Sequence, residues 1–356
     1  MARKIAYFLI LLGLCLFALP VVQAEEAEWD EARIRVKPIK RGERVSPVSS
    51  PQLIGQVIDL PGKDGQGFKV KVEGDKVLVD VKQTGKPDFR AAQGTMSKPF
   101  PLRLHYRDGE VVEHMFKVTQ VRGGWALVRQ SYIEARIGRT YVWFVDENNN
   151  GTYGEAREDG IFVDRKEYGA PFSNVIFVEG ELYEIKLNAS GTKLQYRPYT
   201  GTTGAVEPCE NFGGKKDPEA IIVTGECDAG AVYFDVATRK DVVLPEGEYR
   251  IYVAFLENVT IDCSKAKTTF TVKNGTTAQP TWCTELKMKA QAQYNKKTQK
   301  LMLVPLPTVF GSKGERIIGD YMDDGRFKIA VVPCTANGDP VARATNWSKT
   351  GIGGGG

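Results

Sequence analysis

Histidine is scarce in this chain, since only His105 and His114 occur among 356 residues. The sequence also contains no H-E-x-x-H, G-x-S-x-G or D-[ST]-G motif. Asp108-Gly109 predicts a hairpin that places both histidines on one solvated face, where they would share a metal ion only with ligands from elsewhere. No recognised catalytic motif is therefore predicted, and a Ser-His-Asp triad has few ways to form.

Cysteine pairs with C-x-x-C spacing are absent, which argues against zinc and redox motifs. Cys15 lies near the start, and five cysteines follow in the second half of the chain: Cys209, Cys227, Cys263, Cys283 and Cys334. Short loops favour two structural disulfides, Cys209–Cys227 and Cys263–Cys283. Cys334 would then be left as a free thiol, and disulfides of this kind are typical of an exported protein.

Long apolar runs are absent after the first 24 residues, "MARKIAYFLILLGLCLFALPVVQA". This segment has a basic start, an apolar run and the ending Val22-Gln23-Ala24, which predict a cleaved signal peptide over residues 1–24. The alternatives are an uncleaved anchor and a lipoprotein, although Leu14 before Cys15 does not fit a lipoprotein. We expect a periplasmic, cell-surface or secreted protein with no integral membrane segment after cleavage.

A strong excess of one charge is also absent. Loss of the leader leaves 332 residues (356 − 24) and lowers Lys+Arg from 48 to 46, against 44 acidic residues, a balance of +2. Because the charges alternate in sign along the chain, nucleic acid is not a predicted partner. The exception is "RIRVKPIKRGER", residues 33–44, within a segment, 25–50, that is predicted as a charged linker. The alternative is a patch for anionic cell wall or lipid headgroups.

Helical periodicity is rare, and we expect only a short helix near residues 26–33. From residue 51 onward apolar side chains recur every second position, as in "FKVKVEGDKVLVDVKQ", which indicates β-strands. The fold class predicted is all-β, with two β-sandwich or β-barrel-like domains over residues 51–205 and 206–348. The Gly-, Thr- and Pro-rich stretch 196–220 suggests this boundary, and residues 349–356 form a Gly-rich tail.

The second domain contains "VVLPEGEYRIYVAFLENVTI". Gly247 allows a tight corner, and Tyr249 is positioned to bury its ring and return its hydroxyl to the backbone of that corner. The stretch resembles the start of a strand in prealbumin-like and immunoglobulin-like modules of extracellular bacterial proteins. The resemblance implies a fold and no particular activity.

The first domain contains "YVWFVDENNNGTYGEAREDGIFVD", residues 141–164. Its Asp-x-Asn-x-Asn-Gly core matches the first half of a Ca²⁺-binding loop, but Arg157 stands where the closing carboxylate belongs. The predicted metal ligands are Asp146, Asn148, Asn150, Thr152, Glu158 and Asp159. The alternative is a metal-free turn closed by Asp and Asn side chains.

The stretch from about residue 115 to residue 200 resembles extracellular bacterial β-domains that carry a D-x-[DN]-x-[DN]-G loop, and this resemblance implies no enzymatic activity. We interpret the chain as an exported, non-enzymatic binding or structural protein of the cell envelope or extracellular space. Ca²⁺ is its predicted cofactor, and an envelope or extracellular protein or polysaccharide is its predicted partner. The alternative function is a glycan-directed hydrolase with carboxylates in an interdomain cleft.

Overall fold

A computed structural model describes residues 27–39, 52–94, 97–164, 168–214, 216–237, 242–256, 259–289, 292–295, 300–303, 308–319, 330–331 and 345–346. The prediction of an all-β fold is confirmed, because the only helical element over these residues is a 3-10 turn at Lys63–Gly65. No helix in these ranges is long and apolar enough to cross a membrane. The predicted signal peptide, the Gly-rich tail and Cys334 lie outside the described residues.

The chain begins with strand β1 (Asp30–Pro38) and then forms an N-terminal unit, residues 52–129. Its strands are β2 (Gln52–Leu53), β3 (Val57–Ile58), β4 (Phe68–Glu73), β5 (Lys76–Val79), β6 (Phe89–Gln93), β7 (Phe100–His105), β8 (Val111–Val121) and β9 (Gly124–Arg129). They make two four-stranded sheets, in the orders β2-β9-β8-β7 and β3-β4-β5-β6. Apolar side chains from both sheets form one core.

A middle unit follows, which contains β1 and residues 131–198. Its further strands are β10 (Ser131–Ile137), β11 (Thr140–Val145), β12 (Gly160–Val163), β13 (Ala170–Pro171), β14 (Val175–Val178), β15 (Glu181–Leu187) and β16 (Leu194–Pro198). The sheet order is β13-β12-β11-β10-β1-β16-β15-β14. The middle unit therefore consists of two strand groups with β1 between them.

Strand β1 corrects two expectations for the start of the chain. Residues 33–38 pair with β10, and residues 30–32 pair with β16. This segment is therefore a paired strand, and it is neither the helix near 26–33 nor part of a linker over 25–50. The reason is its period of two: Ala32 is buried while Ile34 and Val36 pack against the core, and charged residues alternate with them.

The C-terminal unit covers residues 203–319. Its strands are β17 (Thr203–Val206), β18 (Asn211–Phe212), β19 (Ala220–Cys227), β20 (Gly230–Asp235), β21 (Val242–Pro245), β22 (Gly247–Leu256), β23 (Val259–Asp262), β24 (Thr269–Val272), β25 (Thr277–Ala278), β26 (Thr281–Trp282), β27 (Lys287–Lys289), β28 (Ala292–Asn295), β29 (Lys300–Leu303), β30 (Thr308–Phe310) and β31 (Arg316–Gly319). The largest sheet runs β20-β19-β22-β23-β31-β30-β27, and β24 also pairs with β22. Two short strands, β32 (Ala330–Val331) and β33 (Thr345–Asn346), pair with each other.

Three large buried clusters, and a small fourth one around Trp143 in the middle unit, lie where the sequence predicts two domains. The range 51–205 contains the core of the N-terminal unit and most of the core of the middle unit. Val175 and Leu182 of the middle unit also belong to the C-terminal core, while Ile222 and Tyr233 belong to the middle core. The middle and C-terminal units therefore share apolar contacts, and the two-domain division stays a prediction.

Two predictions for the C-terminal unit have different outcomes. The tyrosine corner is confirmed, because Tyr249 is buried and its hydroxyl donates to the carbonyl of Pro245 at 2.9 Å. Neither predicted disulfide is present, because the four described cysteines are free thiols. Cys209 lies near Asp217, whereas Cys227 lies near Tyr199, so a short loop does not by itself bring these two side chains together. Cys263 and Cys283 lie in the same buried cluster and close enough to interact, but as free thiols.

Candidate functional site

The candidate site is the Asp/Asn loop, residues 146–159, which joins β11 to β12. These two strands form an antiparallel pair in which Val145 stands opposite Gly160. The aromatic and branched residues of "YVWFV" favour a strand, and the polar, Gly-containing sequence after it favours a turn. The loop is therefore held at both ends by adjacent strands of one sheet.

The inner half of the loop is organised by Asp146. Its carboxylate accepts hydrogen bonds from the backbone N–H groups of Gly151 at 2.8 Å and Asn150 at 3.2 Å. The same carboxylate lies 2.6 Å from Nη2 of Arg129 on β9, and both side chains are fully buried. Burial acts to lower the pKa of Arg129, but Tyr153 and Asp146 outweigh it and raise that pKa, so Arg129 stays a cation.

Further contacts join the loop to the N-terminal unit. Nη1 of Arg129 donates to the Tyr153 hydroxyl at 2.7 Å, and the hydroxyl of Tyr106 donates to the Gly151 carbonyl at 2.6 Å. Asn149 Nδ2 donates to the carbonyl of Leu127 on β9 at 3.2 Å. The loop thus connects strands from two parts of the chain.

Gly151 is required at the centre of this junction. Its φ is +93°, a conformation that L side chains rarely adopt. A Cβ atom at this position would also collide with the ring of Pro61 in the N-terminal unit. Any larger residue would therefore strain the turn and separate the two units.

The outer half of the loop converges on Glu155. One of its carboxylate oxygens accepts hydrogen bonds from Asn150 Nδ2 at 2.5 Å, Thr152 Oγ1 at 2.9 Å and Asn148 Nδ2 at 3.3 Å. Asn148 Nδ2 also donates to Glu158 Oε2 at 2.7 Å. Burial acts to raise the pKa of Glu155, but the hydrogen bonds outweigh it and lower that pKa, so this side chain is an anion at neutral pH.

Two more carboxyl groups lie behind this cluster. Asp159 is buried, and one of its oxygens accepts a hydrogen bond from the Glu155 N–H at 2.9 Å. Its other oxygen has no hydrogen-bond partner. Burial raises the pKa of Asp159 to about 8, and burial beside Asp146 raises the pKa of Glu147 to about 7.

The six predicted metal ligands are thus divided between two sides of the loop. Asn148, Asn150, Thr152 and Glu158 face the outer cluster around Glu155, whereas Asp146 and Asp159 belong to the buried side. No group of three or more His, Cys, Asp or Glu side chains is placed to hold a metal ion in the described part of the chain. Because Asp146 is already paired with Arg129, it does not fit the role of first ligand. Glu155, which is not among the six predicted ligands, does contact Asn148, Asn150 and Thr152 of the outer cluster.

The histidines do not share a solvated face. His105 stands opposite Val111 in the β7–β8 pair, one residue away from the pairing that a two-residue turn would give. A slip of one residue reverses the faces of a strand, so His114 is fully buried. Its Nδ1 lies 3.2 Å from the hydroxyl of Ser131. This Ser–His pair is closed to solvent, so it offers no route for a substrate.

No family model, curated protein or solved structure matches this chain. The geometry describes a loop whose inner half joins two β units and whose outer half is a partly exposed carboxylate and amide cluster.

Proposed function

We propose that this chain is an exported, non-enzymatic binding or structural protein of the cell envelope or extracellular space. In this proposal the Asp/Asn loop holds the N-terminal and middle units in a fixed arrangement. Surfaces on these units then contact an envelope or extracellular protein or polysaccharide. The signal-like residues 1–24 support export, and the all-β architecture is compatible with a binding module.

The observation that carries the proposal is the position of Arg129. It belongs to the last strand of the N-terminal unit, yet its guanidinium contacts Asp146 and Tyr153 of the loop. It also lies over the rings of Phe116, at 5.1 Å, and Tyr153, at 5.2 Å, from Cζ to ring centroid. A loop with these contacts resists relative movement of the N-terminal and middle units, which suits a protein that binds through a surface of fixed shape.

The alternative, a glycan hydrolase with carboxylates in an interdomain cleft, has less support. One groove between the middle and C-terminal units has a single acidic lining residue, Glu184, and this residue is paired with Arg197 at 2.8 Å. A second pocket between these units likewise has one acidic lining residue, Asp235. Glycoside hydrolysis generally needs two carboxyl groups on opposite sides of a sugar ring. A single carboxylate in each pocket favours binding over cleavage.

Calcium binding at the outer half of the loop is part of the proposal. Glu155 and Glu158 provide the negative charge. Asn148 and Asn150 provide oxygen atoms once their amide groups rotate to present them, and Thr152 provides an oxygen atom without such a rotation. Ca²⁺ prefers six to eight oxygen ligands of this kind, and sites with little charge bind weakly, with Kd on the order of 10⁻⁴ M or higher.

A thermal unfolding experiment tests this site. With a Kd of ~10⁻⁴ M, Ca²⁺ at roughly millimolar concentration adds about 1.4 kcal/mol of stability, which raises the melting temperature by a few degrees. Glu155→Gln should remove the response, and Arg157→Glu should strengthen it by adding a carboxylate. Mg²⁺ is the control ion, because it loses its water less readily. A wild-type melting curve that Ca²⁺ and a chelator both leave unchanged would reject calcium and retain the metal-free turn.

A second experiment tests export and binding. The full chain, expressed in a bacterial host, should appear outside the cytoplasm with a mature N-terminus at Glu25. The purified protein should cosediment with envelope fractions, and Gly151→Val, which disturbs the junction between the units, should weaken this association. A cytoplasmic protein with an intact leader, or an equal association by the variant, would contradict the proposal.

A further inference from the structure

A groove of about 290 Å³ lies between the segment just before β1 and the turn after β19. Its walls come from five separate segments: Trp29, Gly154 of the Asp/Asn loop, residues 172–174 between β13 and β14, the strand β15, and Ala229 between β19 and β20. Binding sites are commonly built where separate segments meet. The volume is near the lower end for small-molecule sites and suits one or two sugar rings.

Trp29 organises the charges at this groove. Lys186 Nζ lies 4.0 Å from the centroid of the Trp29 ring, and Arg197 Cζ lies 4.6 Å from it. Cations are attracted to the electron-rich face of an aromatic ring. The indole therefore holds two positive groups beside the groove.

The two cations differ in how they are neutralised. Arg197 contacts Glu184 through both Nε, at 2.9 Å, and Nη2, at 2.8 Å. Lys186 is exposed, and no carboxylate among the described residues forms an ion pair with it. One positive charge beside the groove is thus left for a ligand.

Polar and apolar groups complete the lining. Asn174 donates through Nδ2 to the carbonyl of Ala229 at 3.2 Å, which fixes its amide at the groove. Phe172 adds a buried aromatic wall. An aromatic wall, an amide and a fixed cation are complementary to a sugar that carries an anionic group, because its ring offers C–H groups and its substituents offer acceptors.

We infer that this groove binds an acidic saccharide, a sugar unit that bears a carboxylate or a phosphate, with Lys186 as the anion contact and Trp29 as its support. The inference draws on the proposed function only for the choice of saccharides as ligands. It does not depend on calcium or on the tests of the loop, so either idea can fail without the other.

Isothermal titration of the full chain tests the inference. The probes are a uronic acid disaccharide, a sugar phosphate, the matching neutral disaccharide and inorganic phosphate. Both acidic sugars should bind more tightly than the neutral sugar by roughly tenfold or more, and added salt should lower the affinity for the acidic sugars. Preference for one acidic sugar identifies the anionic group. Equal binding of acidic and neutral sugars, or binding of inorganic phosphate as tight as that of the sugars, would overturn the inference.

Charge reversal at Lys186 locates the site. Lys186→Glu should lower the affinity for the acidic sugars by roughly tenfold or more. Lys193→Glu is the matched control, because Lys193 is an exposed lysine in the turn between β15 and β16 and does not line the groove. Trp29→Phe keeps an aromatic ring and should cause a smaller loss. Unaltered melting temperatures separate a binding effect from misfolding. Equal affinities of the Lys186 and Lys193 variants would reject this groove.

Discussion

Arg129 Nη2 lies 2.6 Å from a carboxylate oxygen of Asp146, and neither side chain is exposed to solvent. The two residues come from different units, since Arg129 ends β9 and Asp146 begins the Asp/Asn loop. A buried charge without its partner has a large desolvation penalty. Removal of either partner is therefore expected to destabilise the junction between the two units.

Loss of one partner should be far more damaging than loss of both. Asp146→Ala leaves the Arg129 cation buried without its counter-charge and should lower the free energy of unfolding by about 3–5 kcal/mol. The double variant Asp146→Asn with Arg129→Met keeps an acceptor for the loop N–H groups and should recover a large part of this loss. Urea titration followed by circular dichroism measures both.

Arg157→Ala is the control for the variants of the Arg129–Asp146 pair. Its guanidinium forms an exposed pair with Glu226 at 3.8 Å, and pairs of this kind contribute little, so the change should stay below about 0.5 kcal/mol. A cost for Asp146→Ala no larger than that of the control would show that the buried pair does not stabilise the junction.

Loss of the hydrogen bond in the tyrosine corner should lower the free energy of unfolding by a smaller amount. Tyr249→Phe removes the hydrogen bond to the Pro245 carbonyl while the buried ring is kept, and should cost about 1 kcal/mol. Tyr252→Phe is the matched control on the same strand, because no hydrogen bond of its hydroxyl occurs among the described residues. Equal unfolding midpoints for the two variants would contradict a structural role for the corner.

Local patterns predicted the features that depend on neighbouring residues. The alternation of apolar and polar side chains predicted an all-β chain, and Tyr249 follows its corner by only four residues. The turn formed by Asp146 and Gly151 is likewise local, since a carboxylate reaches the backbone N–H groups just ahead of it.

Features that depend on distant residues were not predictable in this way. Nothing around Arg129 in "GWALVRQS" indicates that it pairs with a residue 17 positions later. His114 was misplaced because a five-residue connection, in which Tyr106 N–H donates to the Glu110 carbonyl, replaces the expected two-residue turn. The charged composition of β1 predicts a linker, whereas the pairing of this strand depends on strands about 100 and 160 residues away.

Cysteine reactivity should follow burial. Cys263 and Cys283 are buried, whereas Cys209 and Cys227 are partly exposed. Burial raises the pKa of Cys283 to about 12 and that of Cys209 to about 11. Because the thiolate is the reactive form, iodoacetamide at about pH 8 should label the native protein slowly, and Cys209 and Cys227 before the buried pair.

Peptide mapping by mass spectrometry measures the order in which the cysteines are labelled. Protein denatured without reductant should be labelled at all four of these cysteines. Recovery of a linked peptide that joins Cys263 to Cys283 would contradict the free thiols, and faster labelling of the buried pair would contradict the role of burial.

The last prediction concerns acid stability and depends on His114. Burial lowers its pKa well below the usual value, and the nearby cation of Arg129 lowers it further. Its Nδ1 faces the Ser131 hydroxyl, its ring lies 5.7 Å from that of Tyr153, and its Nε2 has no hydrogen-bond partner. The unfolded chain therefore binds a proton more readily than the folded chain, so this residue reduces stability as the pH falls below the unfolded pKa of about 6.5.

Between about pH 7.5 and pH 5.5 this residue should remove ~1.4 kcal/mol from the free energy of unfolding, because the unfolded histidine gains a proton that the folded one rejects. His114→Gln should remove this part of the pH dependence, whatever its effect at neutral pH. His105→Gln is the control, because it also deletes a histidine but leaves the buried contacts of His114 with Ser131 and Tyr153 intact. Urea midpoints measured across this range give the difference directly. A His114→Gln profile parallel to the wild-type profile would show that His114 takes up its proton in the folded state.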